Sequence, residues 1–241
     1  MKVITLNDEI MIGQVIGDRF CALLQENPSA VLGLATGASP IPTYQCTISR
    51  FKAGDVSFAK AHTFNLDEYC DLPAAHPQSY RSFMHTQLFS HIDIDPQNTH
   101  LLDGNASDET AECSRFDALV EQLGGVDLQL LGIGRNGHIG FNEPADTFTQ
   151  GSFKVQLAPS TLEANSSYFV GERMPTHALT MGVGAILRAK EIVLVATGAS
   201  KAEAVKAMVQ GKITPQLPAS ALQNHPNVTI YLDPAAASLL Q

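Results

Sequence analysis

Four short stretches hold the residues whose types and spacing could do chemistry. In "LLGIGRNGHIGFNEP" (130–144), Asn136, His138 and Glu143 stand among Gly132, Gly134, Gly137 and Gly140. Imidazole accepts and donates protons near neutral pH, and glycines let a ligand approach the backbone closely. In "FNLDEYCDLP" (64–73), Asp67 and Glu68 are adjacent, and either carboxylate could act as a general base, although aspartate at such a junction also commonly forms turns. In "ATGASPIPTY" (35–44), Thr36, Gly37, Ala38 and Ser39 form a small-residue turn ahead of Pro40. That turn suits an anion held by free backbone N–H groups, and equally a tight connection with a serine cap. In "TGASKAEAV" (197–205), Lys201 opens a helix, where its charge opposes the macrodipole. An anionic ligand would explain that placement, as would simple exposure of the lysine.

Gly132, Gly134 and Gly137 have the G-x-G-x-x-G spacing of a dinucleotide-binding loop. Such a loop must run straight into a helix whose N-terminus meets the pyrophosphate, whereas Gly140 and Pro144 interrupt any helix here. The stretch reads instead as a catalytic loop that exposes His138, Asn136 and Glu143 around a small substrate.

Each stretch follows an apolar run. "AVLGLA" (30–35), "HTFNL" (62–66), "LQLLGIG" (128–134), "EIVLVAT" (191–197) and "VTIYL" (228–232) read as strands buried on both faces, the pattern of a parallel sheet. Between them, Ile12, Val15, Ile16, Phe20, Leu23 and Leu24 mark one helix after the cap candidates Asn7 and Asp8. Phe116, Leu119, Val120 and Leu123 mark another, before Gly124 and Gly125. The alternation predicts a doubly wound α/β fold, a mainly parallel sheet with helices on both faces in a Rossmann-like three-layer sandwich. Ligands of such sheets bind at the carboxyl ends of the strands, where all four stretches fall.

Composition sets the outer bounds. Apolar residues make up 44% of the 241 and charged residues 16%, with no linker or low-complexity tract, so residues 1–241 read as one domain. A net charge of −9 excludes nucleic acid or an anionic membrane as the main partner and leaves a small anionic ligand open. Cys21, Cys46, Cys70 and Cys113 form no close pair, and the eight histidines have no metal-type spacing, so no metal site is expected. With no apolar run long enough for a signal peptide or membrane span, the expectation is a soluble, cytoplasmic protein.

Taken together, "FNLDEYCDLPAAHPQSY", "GIGRNGHIGFNEP", "ATGASP", "TGASKAEA" and "PASALQNHPNVTIYLD" resemble, from end to end, the glucosamine-6-phosphate deaminases, which are hexosamine-phosphate isomerases. The resemblance implies conversion of glucosamine 6-phosphate and water to fructose 6-phosphate and ammonia, a hydrolase reaction on a cyclic amino sugar phosphate without metal or organic cofactor. It makes His138 the group that assists ring opening, Glu143 and Asn136 the residues that orient and tune it, and Asp67 the base that carries a proton between C2 and C1. Thr36, Gly37, Ala38 and Ser39 become the phosphate loop and Lys201 its lysine, with Gly137 giving the sugar access to the backbone.

Two departures qualify the resemblance. Asn136 stands where some members carry aspartate, which removes a negative neighbour from the histidine. Ser167, in "TLEANSSYF", stands where the family usually has an arginine that helps hold the phosphate. The segment from about 156 to 177 corresponds to a mobile lid, and Arg173 within it is the candidate substitute, with Lys154 in reserve. "GSFKVQLAPS" lacks the basic residues of allosterically activated members and the chain lacks their longer tail, so regulation by an amino-sugar phosphate is not expected. Three other activities compete: deamination of galactosamine 6-phosphate, 6-phosphogluconolactone hydrolysis, and non-catalytic sensing of a sugar phosphate. Nothing in the sequence selects between a monomer and a homo-oligomer.

Overall fold

The most apolar runs become the middle of a sheet because only there is a strand covered on both faces. The computed structural model describes all residues, 1–241. In chain order its elements are β1 (Lys2–Thr5), α1 (Glu9–Glu26), β2 (Val31–Leu34), α2 (Ile41–Lys52), β3 (His62–Asn65), β4 (Asp67–Tyr69), α3 (Tyr80–Gln87), β5 (Thr99–His100), α4 (Glu109–Gln122), β6 (Leu128–Leu131), β7 (Phe153–Gln156), α5 (Pro159–Asn165), β8 (His177–Thr180), α6 (Val183–Ile186), β9 (Glu191–Ala196), α7 (Ala202–Gln210) and β10 (Val228–Leu232). Seven strands form a sheet in the order β1-β10-β9-β6-β2-β3-β5, and every pairing in it is parallel. β2 and β6 are buried at every position and β9 at all but Glu191, so helices must cover both faces. β10 departs from that expectation. Its burial alternates, because it lies one place from the sheet edge.

Helix ends follow local chemistry. The Asp8 side chain caps α1 by accepting from the Met11 N–H at 2.8 Å, and Gly124 and Gly125, both at positive φ, end α4. α1 buries Ile12, Ile16, Phe20 and Leu24 along one face, whereas Val15 is exposed rather than part of that face. Gly13 and Gly17 face α2 so closely that a Cβ on Gly13 would sit 2.5 Å from the Pro42 backbone. One core of 48 buried residues runs through the main sheet.

A second, antiparallel sheet, β4-β8-β7, was not legible in the sequence. Its strands have three or four residues and no long apolar run, so neither periodicity nor length marks them. Asp67 opens β4 and pairs with Thr180, so it belongs to this small sheet rather than to the end of β3. A satellite cluster of Tyr69, Leu72, Phe141, Leu157, Phe169 and Ala178 packs around the same sheet.

Candidate active site

Because the main sheet is parallel, the segments after β2, β3, β6 and β9 emerge at one edge. After β2 the chain turns through residues 35–40, fixed from beneath by the buried Tyr44 hydroxyl, which donates to the Ala35 carbonyl at 2.5 Å. Gly37 has φ +90° and open space where a side chain would begin. The N–H groups of Thr36, Gly37, Ala38 and Ser39 find no acceptor within the protein. Four unpaired donors ahead of α2 make a cradle for an anion, whatever the net charge of the molecule.

Lys201 stands in the turn after β9 and reaches the loop after β6. It precedes α7 and its Nζ donates to the Ile133 carbonyl at 2.7 Å. Burial, and then the charge of Arg135, hold its ammonium below the ordinary lysine range. Arg135 is exposed and makes no ion pair, and the sequence reading passed over it. The available signal was its place in the glycine loop, two residues beyond the carbonyl that Lys201 binds.

The loop after β6 gathers the sequence-predicted acid–base residues. Gly134 is required by contact, because a side chain there would occupy the place of the His138 ring. The Asn136 side chain donates to Glu143 Oε2 at 2.8 Å and accepts from the His138 N–H at 3.2 Å. His138 Nδ1 stands 3.5 Å from Glu143 Oε2, an ion-pair distance that is long for a hydrogen bond. The other Glu143 oxygen accepts from the Ala158 N–H at 3.2 Å and from the Thr161 hydroxyl at 2.5 Å, which ties the loop to α5. Burial alone would raise the Glu143 carboxyl, but His138, Thr161 and Asn136 together hold it at about 2.

Asp67 and Glu68 separate by environment. Asp67 is 6% exposed, and its Oδ2 lies 3.4 Å from where a Cβ on Gly140 would sit, which places it against the loop after β6. Burial first, and the Glu68 charge second, push its carboxyl up to about 8. Glu68 instead accepts from the N–H groups of Tyr69 and Tyr80 at 2.9 Å and of Arg81 at 3.0 Å, fixing the start of α3. A carboxylate so engaged is an anchor, and only Asp67 is left to act on a ligand.

The lid candidates lie elsewhere. Arg173 is exposed and makes no hydrogen bond or ion pair through its side chain. Lys154, on β7, pairs with Glu109 at 2.7 Å. Gly137 sits against Leu217, which closes the loop on its far side. No group of three or more histidine, cysteine or acidic side chains comes together as a metal site.

Residues 11–231 match the family described as glucosamine-6-phosphate isomerases/6-phosphogluconolactonase. A glucosamine-6-phosphate deaminase of Cellvibrio japonicus is 46% identical over 241 residues, 100% of this chain and 92% of that protein. One from Clostridium perfringens is 45% identical over 240 residues, 99% of each. A monomeric glucosamine-6-phosphate deaminase of known structure superposes with a TM-score of 0.96 at 44% identity, over 99% of this chain and 100% of that one. A 6-phosphogluconolactonase of Trypanosoma cruzi, 16% identical with a TM-score of 0.78 over 100% and 97% of the two chains, shares the fold. With near-complete coverage at close to half identity, and with the motif residues gathered at one edge of the sheet, the chain belongs to the glucosamine-6-phosphate isomerase/6-phosphogluconolactonase family.

Proposed function

We propose that the protein converts glucosamine 6-phosphate and water to fructose 6-phosphate and ammonia. The observation that carries this reading is Asp67, a buried carboxyl free of protein donors, set against the His138 loop at the edge that also holds the anion cradle. The phosphate binds to the N–H groups of Thr36–Ser39 and to Lys201. Arg135, whose charge already acts on Lys201, supplies the second cation in preference to Arg173. His138 moves the proton of the anomeric hydroxyl to the ring oxygen, which opens the pyranose, while Glu143 and Asn136 hold the imidazole. Asp67 then takes the C2 proton and returns it to C1 while the substrate ammonium gives a proton to the C1 oxygen, leaving a hydroxymethyl at C1 and an iminium at C2. Water adds to that carbon and ammonia leaves, giving the ketone. Water is thus consumed, the sense in which the reaction is hydrolytic, while the carbon skeleton is isomerised.

Residues 156–177 serve as the lid of a single catalytic domain. Four free cysteines agree with a reducing, cytoplasmic location. No helix is long and apolar enough to cross a membrane. The decisive experiment measures ammonia release from glucosamine and galactosamine 6-phosphates and their N-acetyl forms, beside hydrolysis of 6-phosphogluconolactone. Ammonia with fructose 6-phosphate from the gluco compound is expected. Preferred turnover of the galacto epimer or of the lactone would overturn the assignment.

A further inference from the structure

Asp67 must be ionised to take a proton from carbon, yet no hydrogen bond from the protein reaches its carboxyl. A buried carboxylate without a donor is costly, so a donor that engages it on ionisation is expected close by. Three polar atoms converge on the point where a Cβ on Gly140 would sit: Thr180 Oγ1 at 3.0 Å, Asp67 Oδ2 at 3.4 Å and Asn142 Nδ2 at 3.6 Å.

The two neighbours of Asp67 differ in what they have left to give. Asn142 spends its amide N–H groups on the Ile139 and Met181 carbonyls, each at 2.8 Å. The Thr180 hydroxyl accepts from the Phe141 N–H at 3.1 Å, and its own proton finds only the Met181 carbonyl at 3.4 Å, which is long for an O–H donor. That carbonyl already receives the Asn142 amide, and Thr180 is fully buried, so its proton is the one to spare. Strand register brings hydroxyl and carboxyl together. Thr180 of β8 stands directly opposite Asp67 of β4. The ladder bonds fall on either side of this pair, from the Met181 N–H to the Leu66 carbonyl at 2.8 Å and from the Cys70 N–H to the His177 carbonyl at 3.0 Å. Asp67 and Thr180 thus form a non-hydrogen-bonded pair, the kind in which facing side chains come closest.

We propose that the Thr180 hydroxyl turns from the Met181 carbonyl to the Asp67 carboxylate when that group gives up its proton, and so holds the base in its ionised form for the substrate. Thr180 is a positioning residue: its oxygen fixes the loop after β6 through Phe141, and its proton serves Asp67. The ionisable groups whose charges interact with Asp67 are Glu68 beside it, Tyr69 farther along β4 and Tyr80 of α3, and none of them is hydrogen-bonded to it. β7 adds no ionisable group at this register, where Thr180 pairs with Phe153, and in the loop after β6 His138 and Glu143 engage each other. The inference rests on the reading of Asp67 as the base.

The test titrates Asp67 directly, by NMR of its side-chain carboxyl carbon assigned with Asp67→Asn, in the parent, in Thr180→Val and Thr180→Ala, which lack the hydroxyl, and in Thr180→Ser, which keeps it. The pH dependence of kcat/KM for glucosamine 6-phosphate is measured beside it. Loss of a hydrogen bond to an ionised acceptor should move both the titration and the rising limb of kcat/KM upward by about one pH unit in the valine and alanine variants, with Thr180→Ser close to the parent. A hydroxyl that only anchors Phe141 would lower the rate at every pH and leave both midpoints in place, which overturns the proposal, as does an equal upward shift in Thr180→Ser. A carboxyl signal that moves while the kinetic limb stays overturns it together with Asp67 as the base. If the parent releases no ammonia, the proposed reaction falls by itself, and the carboxyl titration alone decides whether Thr180 serves Asp67.

Discussion

Asp67 concentrates the conflict between folding and chemistry into one side chain. Its carboxyl is raised from an unfolded value of 3.8 to about 8, so between those limits the folded state binds more protons than the unfolded chain. Stability attributable to this group therefore falls as pH rises through that window, and below 3.8 the penalty is absent. Asp67→Asn should raise the melting temperature at pH 9 and change it little at pH 3.5, while lowering turnover by roughly 10²–10⁴-fold, the usual cost of losing a general base. A variant no more stable at pH 9 than its parent would refute the raised ionisation. In the parent, kcat/KM should climb with pH up to about 8 as the base deprotonates. The residue types and short spacings of Asp67, His138, Asn136 and Glu143 were legible in the sequence, because these motifs are local. Residue types alone left Asp67 and Glu68 equivalent and only the family resemblance pointed to Asp67, because the Tyr80 and Arg81 donors that occupy Glu68 meet it only after the chain has folded back through α3.

At the level of elements, the loop after β6 acts as a die that shapes the histidine. Gly134→Ala would push a methyl into the His138 ring, and a displacement of about 1 Å at a catalytic group can cost about 10²-fold in rate. The expected outcome is a fall in kcat with phosphate affinity kept, read by steady-state kinetics beside calorimetry. Arg135→Gln should do the reverse, raising KM by about 10-fold through loss of a charge-assisted contact while leaving kcat near its parent value. Unchanged KM would leave Arg135 as a solvated loop residue. The strands β2, β3, β6, β9 and β10 were readable from their continuous apolar runs and the helices α1 and α4 from their apolar faces, whereas the two-residue β5 carries no such signal. The strands β4, β7 and β8 were not, because they are held by pairing with one another across distant parts of the chain.

Across the whole molecule, the sheet brings together groups that no local motif links. His62 and His100, on the neighbouring strands β3 and β5, meet at 3.3 Å between ring nitrogens at the edge of the sheet. Burial, then the charges of His62 and Arg115, lower His100 to about 4. Between that value and 6.5 the unfolded chain binds more protons than the folded one, so stability is lost as pH falls through this window. His100→Asn should flatten the acid limb of a plot of melting temperature against pH between 6.5 and 4, and an unaltered limb would exclude this histidine as its source. Glu143 divides its two oxygens between the loop after β6 and α5. Displacement of α5 would take from the carboxylate the hydroxyl and the N–H that hold it, and from the imidazole its fixed partner. Discrimination against unphosphorylated glucosamine should then appear in kcat as well as in KM, because binding energy at the remote phosphate is expended on arranging the reacting groups. The free sugar would be refused after it had bound, at the step that opens its ring.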